Sequence, residues 1–139
     1  MPEFPPLTIF MDSNVLFSAT YIATSPFLNF WKMVNVTPVT CPYAIAEVRR
    51  HVVLPPQQPR FDELISRTRL VSDADQAFVP HHVRLVEKDR PILAAAIAAS
   101  VDYLITGDKS HFSHLYSKRT SHVYVISPGD FLFHFGDRL

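Results

Sequence analysis

The sequence predicts an α/β protein in which helices cover both faces of a parallel sheet of about five strands, a three-layer α/β/α arrangement. Strand-like runs alternate along the chain with helical patterns, which is typical of parallel sheets. The runs are also continuously apolar, as expected of strands that are buried on both faces. The 139 residues contain no repeat or linker, so we expect one domain over residues 1–139.

The first half of the chain is predicted to begin with a strand over 7–11, which is rich in strand formers and ends at Asp12. Ser25-Pro26 is typical of a helix start, because proline suits the first helical position. Pro42 opens a helix in the same way, and Pro55-Pro56 ends it. The other elements expected here are a helical stretch from Val15, a helix over 27–34, a strand over 37–41, a helix over 60–67 and a brief strand over 70–72.

The second half is predicted to begin with a loop over most of 73–86 and then an alanine-rich helix over 90–100. A strand over 103–106 leads into Gly107-Asp108. Ser127-Pro128-Gly129 turns into the last helix. Between them the pattern indicates a short helix over 110–116 and a strand over 123–126.

Acidic side chains fall where the predicted strands end. Asp12 follows the first strand and Asp108 follows the strand over 103–106. Glu47 lies early in the helix after the second strand, and Asp89 lies at the start of the alanine-rich helix. Ligands of open parallel α/β folds bind at the carboxyl ends of the strands, so we expect these four carboxylates to converge at one edge.

Four carboxylates in one cleft repel one another unless a cation neutralises them. Oxygen ligands favour Mg²⁺ or Mn²⁺, and such ions activate water and stabilise the leaving oxygen of a phosphodiester. Each acid also has a structural interpretation. Asp12 and Asp108 could be turn residues, Glu47 a solvated helix residue, and Asp89 the cap of the helix that begins at Arg90.

Four segments carry a resemblance to the PIN-domain nucleases: residues 9–16, 42–48, 88–96 and 102–109. The resemblance spans roughly residues 7–135 and implies metal ligands at Asp12, Glu47, Asp89 and Asp108. It implies an Mg²⁺- or Mn²⁺-dependent endoribonuclease, with RNA as the substrate. It further implies the toxin half of a toxin–antitoxin pair, with an antitoxin partner and a homodimer. Asn14 matches a polar position that supports the first acid, and Thr106 and Ser110 are expected to act similarly.

Basic residues stand beside three of the four acids, namely Arg49, Lys88, Arg90 and Lys109. The formal net charge of zero gives no general reason to expect nucleic-acid binding. Positive charge gathered along one groove can still bind RNA, so these four side chains are candidate substrate contacts. The alternative is that they are solvated helix ends.

Two other functions remain open from the residues alone. A phosphoryl-transfer protein of the receiver or haloacid-dehalogenase type also places acids at strand ends, but the second acid that the dehalogenase type requires is replaced here by Asn14. A non-catalytic RNA-binding or protein-interaction module is the second alternative. Zinc is not favoured, because His111 and His114 have no cysteine or third ligand at a suitable spacing.

The sequence also indicates a compartment. The single cysteine, Cys41, excludes an intrachain disulfide and fits a reducing environment. The start of the chain lacks the cationic segment of a signal peptide. The longest apolar run, residues 92–99, is too short to span a membrane. We therefore expect a cytoplasmic protein with no membrane association.

Overall fold

Six strands form one sheet in the computed structural model, which describes residues 3–139. The order across the sheet is β3-β2-β1-β4-β6-β5, and every adjacent pair is parallel except β5 and β6. The strands are β1 (Leu7–Met11), β2 (Val36–Thr40), β3 (Arg69–Leu70), β4 (Tyr103–Ile105), β5 (Lys118–Thr120) and β6 (Val123–Ile126). The predicted α/β class is confirmed. The sheet exceeds the expected five strands by the antiparallel edge strand β5.

The helices flank this sheet and follow the predicted order. They are α1 (Ser13–Tyr21), α2 (Pro42–His51), α3 (Gln57–Ser66), α4 (Arg90–Ala98), α5 (Lys109–Phe112) and α6 (Pro128–Phe135). The helix expected over 27–34 is a 3₁₀ turn at Pro26–Trp31, and the one expected over 110–116 is α5 followed by a 3₁₀ turn at Ser113–Leu115. The segment 73–86 is irregular apart from a 3₁₀ turn at Gln76–Phe78, as predicted.

Burial explains why the strands read as continuous apolar runs. Ile9, Phe10 and Met11 are consecutive in β1 and all are fully buried, although successive side chains of a strand point to opposite faces. Both faces of the central strand are therefore covered. Among residues 3–139, no helix has the length and apolarity needed to cross a bilayer.

The order in which strands are added to the sheet changes direction between β1 and β4, so these two neighbouring strands form its topological switch point. It runs from β1 outward through β2 to β3, and then returns to place β4 on the other side of β1. The loops after β1 and β4 consequently diverge, leaving a crevice at the carboxyl ends of these two strands. Asp12 follows β1 directly, and Thr106, Gly107 and Asp108 follow β4.

Candidate active site

Asp12 connects the end of β1 to the start of α1. Its Oδ1 accepts a hydrogen bond of 2.7 Å from the backbone N–H of Ser13. Its Oδ2 accepts 2.8 Å from Thr106 Oγ1 and 3.1 Å from Asn14 Nδ2. Asp12 therefore caps α1, which agrees with its structural interpretation as a turn residue. It also accepts hydrogen bonds from two side chains, which a residue that only caps a helix does not need.

The Asp12 carboxylate is held in a desolvated position. The residue is 3% exposed, and burial, the largest influence, raises its pKa from 3.8 to about 6. The hydrogen bonds from Thr106 and Ser13 act in the opposite direction, while the charges of Asp89 and Glu47 raise the pKa further. A carboxylate in this position is stabilised by any cation that approaches it.

Asn14 and Thr106 link the ends of β1 and β4. Asn14 Oδ1 accepts a hydrogen bond of 2.9 Å from the Gly107 N–H, while its Nδ2 donates to Asp12. Thr106 Oγ1 accepts 3.2 Å from the Asp108 N–H and donates to Asp12. Thr106 is fully buried, so its hydroxyl has no contact with solvent. These contacts fix the position of Asp12 relative to Asp108.

Gly107 allows this close approach. A Cβ built at Gly107 would lie 3.3 Å from Asn14 Oδ1, which is tighter than ordinary van der Waals contact. The Asn14 side chain would have to move by a few tenths of an ångström to accept it. The absence of a side chain at Gly107 therefore keeps Asn14 in place for its bond to Asp12.

Asp89 and Asp108 lie together around a histidine. His111 Nδ1 lies 2.6 Å from Asp89 Oδ2 and 2.8 Å from Asp108 Oδ2. Asp108 Oδ1 also accepts bonds from Ser110 Oγ at 2.8 Å and from the His111 N–H at 3.2 Å, which caps α5. Asp89 occupies the N-cap position of α4, but its side chain makes no capping hydrogen bond there. Its burial raises its pKa above 3.8, and the charge of Asp108 adds to that effect.

Glu47 completes the acidic group from α2. Its Oε2 lies 3.3 Å from Ser13 Oγ, which donates to it. Tyr43, one turn earlier on α2, donates its hydroxyl to the Lys88 carbonyl at 2.7 Å. This bond ties α2 to the turn that carries Asp89. All four predicted acids line one cavity of about 250 Å³, the acidic cavity, together with Ser13, Asn14, Phe17, Val48, His51 and Lys88.

The four predicted cations have different positions. Lys88 lines the acidic cavity. Arg49 instead forms an ion pair with Asp62 at 3.1 Å and stacks over Phe61, so its side chain contacts α3. Arg90 donates to the Val83 carbonyl at 3.4 Å on a neighbouring surface, and Lys109 is exposed.

Two histidines were not placed beside the acids from the sequence: His111 was considered only as a zinc ligand, and His51 was not considered. His111 follows Asp108 by three residues, so one helical turn places both on the same side; this spacing is the signal that was available. His51 follows Glu47 by four residues on α2 and lines the acidic cavity. His114, which was considered together with His111 in the sequence, donates a hydrogen bond of 2.7 Å from its Nε2 to the Arg84 carbonyl and does not join His111.

The Thr106 hydroxyl provides a test of how Asp12 is held. We expect Thr106→Val to raise the pKa of Asp12 further, because it removes a donor to the charged carboxylate at nearly constant volume. The Asp12 carboxyl can be titrated by ¹³C NMR in the metal-free protein. Thr106→Ser retains the hydroxyl and should titrate close to the parent. A midpoint that is unchanged in the valine variant would show that the bond does not control Asp12.

Comparison with known proteins gives a family match and similar solved structures. The PIN domain family matches residues 8–110 of the chain. VapBC2 from Rickettsia felis, solved bound to a DNA fragment from its promoter, aligns with a TM-score of 0.65 and 15% identity over 87% of this chain and 98% of that chain. At this identity the likeness is one of fold. No curated protein matches the sequence.

Proposed function

The chain belongs to the PIN domain family, since the match covers residues 8–110 of 139, and we propose that it is an Mg²⁺- or Mn²⁺-dependent endoribonuclease. In this proposal Asp12, Glu47, Asp89 and Asp108 hold the metal and carry the catalytic chemistry. The observation that best supports this proposal is that four acids from four different segments line one cavity at the switch point of the sheet.

The donor set fits a hard divalent cation. It consists mainly of carboxylate oxygens, which are the ligands that Mg²⁺ and Mn²⁺ prefer. The raised pKa of Asp12, to about 6, shows a buried charge that the protein's own donors only partly compensate. Bound there, the metal would supply an activated water and a counter-charge for the leaving oxygen of the phosphodiester.

The remaining residues act on these acids and on the substrate. Asn14 and Thr106 orient Asp12, and the Ser110 hydroxyl orients Asp108. Lys88 is the cation best placed to contact an RNA phosphate, because it lines the acidic cavity. Lys109, which is exposed, and Arg90, which lines a neighbouring cavity, are further candidates. Arg49 would first have to leave Asp62.

The proposal is tested by incubating the purified protein with a panel of structured and single-stranded RNAs. Cleavage is expected with Mg²⁺ or Mn²⁺ and is expected to stop in EDTA. Products should be internal fragments rather than mononucleotides. Cleavage that persists in EDTA would contradict the metal-dependent mechanism.

The same assay separates the enzyme from a non-catalytic module. Binding of RNA without cleavage of any panel member, in protein shown by calorimetry to bind metal, would favour the binding module. The filled set of four acids favours catalysis, because a module that only binds RNA has no need to hold four carboxylates at one site.

The proposed biological setting is a toxin–antitoxin pair in the cytoplasm, with the protein acting as a homodimer. It is supported by the family and by the fold similarity to VapBC2, whose structure contains promoter DNA. Light scattering on the purified protein tests the dimer. Growth arrest on expression, relieved by the product of an adjacent gene, tests the pair.

A further inference from the structure

The contacts of His111 are not explained by hydrogen bonding. Its Nδ1 lies 2.6 Å from Asp89 Oδ2 and 2.8 Å from Asp108 Oδ2, yet neither contact has the direction of a hydrogen bond. Within residues 3–139, Asp89 Oδ2 and His111 Nδ1 are buried atoms without a hydrogen-bond partner. Buried polar atoms are rarely left so, and an ion is one of the standard explanations.

The burial of Asp89 strengthens this explanation. The residue is 7% exposed, so the Oδ2 that faces His111 has almost no access to water. An imidazole nitrogen offers one lone pair or one proton, so it could serve two carboxylate oxygens at once only through a bifurcated N–H bond. Neither contact meets the geometry of such a bond, because His111 Nδ1 has no hydrogen-bond partner within the described residues. One cation can be shared by all three atoms, which lie within 4.8 Å of one another.

Because the third candidate ligand, His111, offers a nitrogen rather than an oxygen atom, it affects which metal the site would prefer. Imidazole nitrogen is a softer ligand than carboxylate oxygen, and divalent transition ions accept it more readily than Mg²⁺ does. The other acids at the cavity supply oxygen alone. His111 is therefore the residue that could distinguish Mn²⁺ from Mg²⁺ at this site.

We propose that His111 Nδ1 is a metal ligand, together with Asp89 and Asp108, and that it makes the site prefer Mn²⁺ over Mg²⁺. This inference depends on one part of the proposed function, namely that Asp89 and Asp108 hold a divalent cation. His111 lies outside the four acids that the family resemblance supplies, and its role follows from its contacts in this chain.

The first experiment measures the ligand directly. Mn²⁺ is added to the protein at less than one equivalent, and electron spin-echo envelope modulation detects ¹⁴N coupled to the ion. The coupling is expected in the parent and in two control variants, His51→Gln and His114→Gln. His51 lines the acidic cavity beside Glu47, and His114 bonds the Arg84 carbonyl. The coupling should disappear in His111→Gln.

The second experiment measures selectivity. Mn²⁺ and Mg²⁺ affinities are obtained by calorimetry, and their ratio should fall roughly tenfold or more in His111→Gln. His111→Asp replaces the nitrogen with oxygen, so it should retain Mg²⁺ binding while the ratio falls. A role of His111 in folding alone would weaken both ions equally and leave the ratio unchanged.

The outcomes separate this inference from the nuclease proposal. Parent protein that shows no nitrogen coupling, or coupling that survives in His111→Gln, overturns the role of His111 even if RNA is cleaved. Nitrogen coupling and Mn²⁺ preference that both depend on His111 establish the ligand even if no RNA is cleaved. Circular dichroism of each variant confirms that the comparison is made on folded protein.

Discussion

Replacing Asp12 with asparagine is expected to abolish RNA cleavage while leaving the fold intact. Asparagine matches the size of the side chain and can still accept the bond from the Ser13 N–H that caps α1. It removes the negative charge at the most buried of the four acids. Because polarisation by a bound metal is worth several kcal/mol, we expect cleavage to fall at least ~100-fold.

Initial rates on one defined RNA, at saturating Mn²⁺, measure this effect. Asp108→Asn should show a comparable loss, because Asp108 lines the same acidic cavity as Asp12. Asp75→Asn is the matched control, since Asp75 is an exposed acid that caps a 3₁₀ turn elsewhere. Activity of Asp12→Asn equal to that of the parent would exclude Asp12 from the site.

The elements that position the acids were predictable because burial leaves a strong pattern. β1, β4 and β6 are continuous apolar runs bounded by polar or turn residues. Pro42 marks the start of α2 and Pro128 that of α6. Placing Asp12 and Asp108 after two such strands was sufficient to predict that they converge.

Features that depend on tertiary contacts were not predictable. β5 consists of Lys118, Arg119 and Thr120 and has no apolar run; it exists because it pairs with β6. Asp89 lies at the N-cap position of α4 as its sequence position suggested, but the direction of its carboxylate toward His111 depends on tertiary contacts. Arg49 was predicted as a substrate contact because it is close to Glu47 in sequence, but that position gives no sign of its pairing with Asp62.

The buried charge of Asp12 also predicts a cost in stability for the metal-free protein. Its pKa of about 6 in the folded state exceeds its ordinary 3.8, so the folded protein holds this proton more tightly than the unfolded chain. The resulting stabilisation is complete below pH 3.8 and is lost as the pH rises through 6. At 1.36 kcal/mol per pKa unit the full effect is about 3 kcal/mol, of which about 2 kcal/mol falls between roughly pH 4.5 and 7.5.

Other groups titrate over the same range, so the measurement compares the parent with Asp12→Asn. Urea unfolding in EDTA gives the free energy of unfolding of each at several pH values. The parent should lose about 2 kcal/mol more than the variant as the pH rises from roughly 4.5 to 7.5. Parallel curves for the two proteins would contradict a raised pKa at Asp12. At pH 7.5, Mn²⁺ should stabilise the parent more than the variant, because the ionised carboxylate that weakens the metal-free fold is the one that binds the ion.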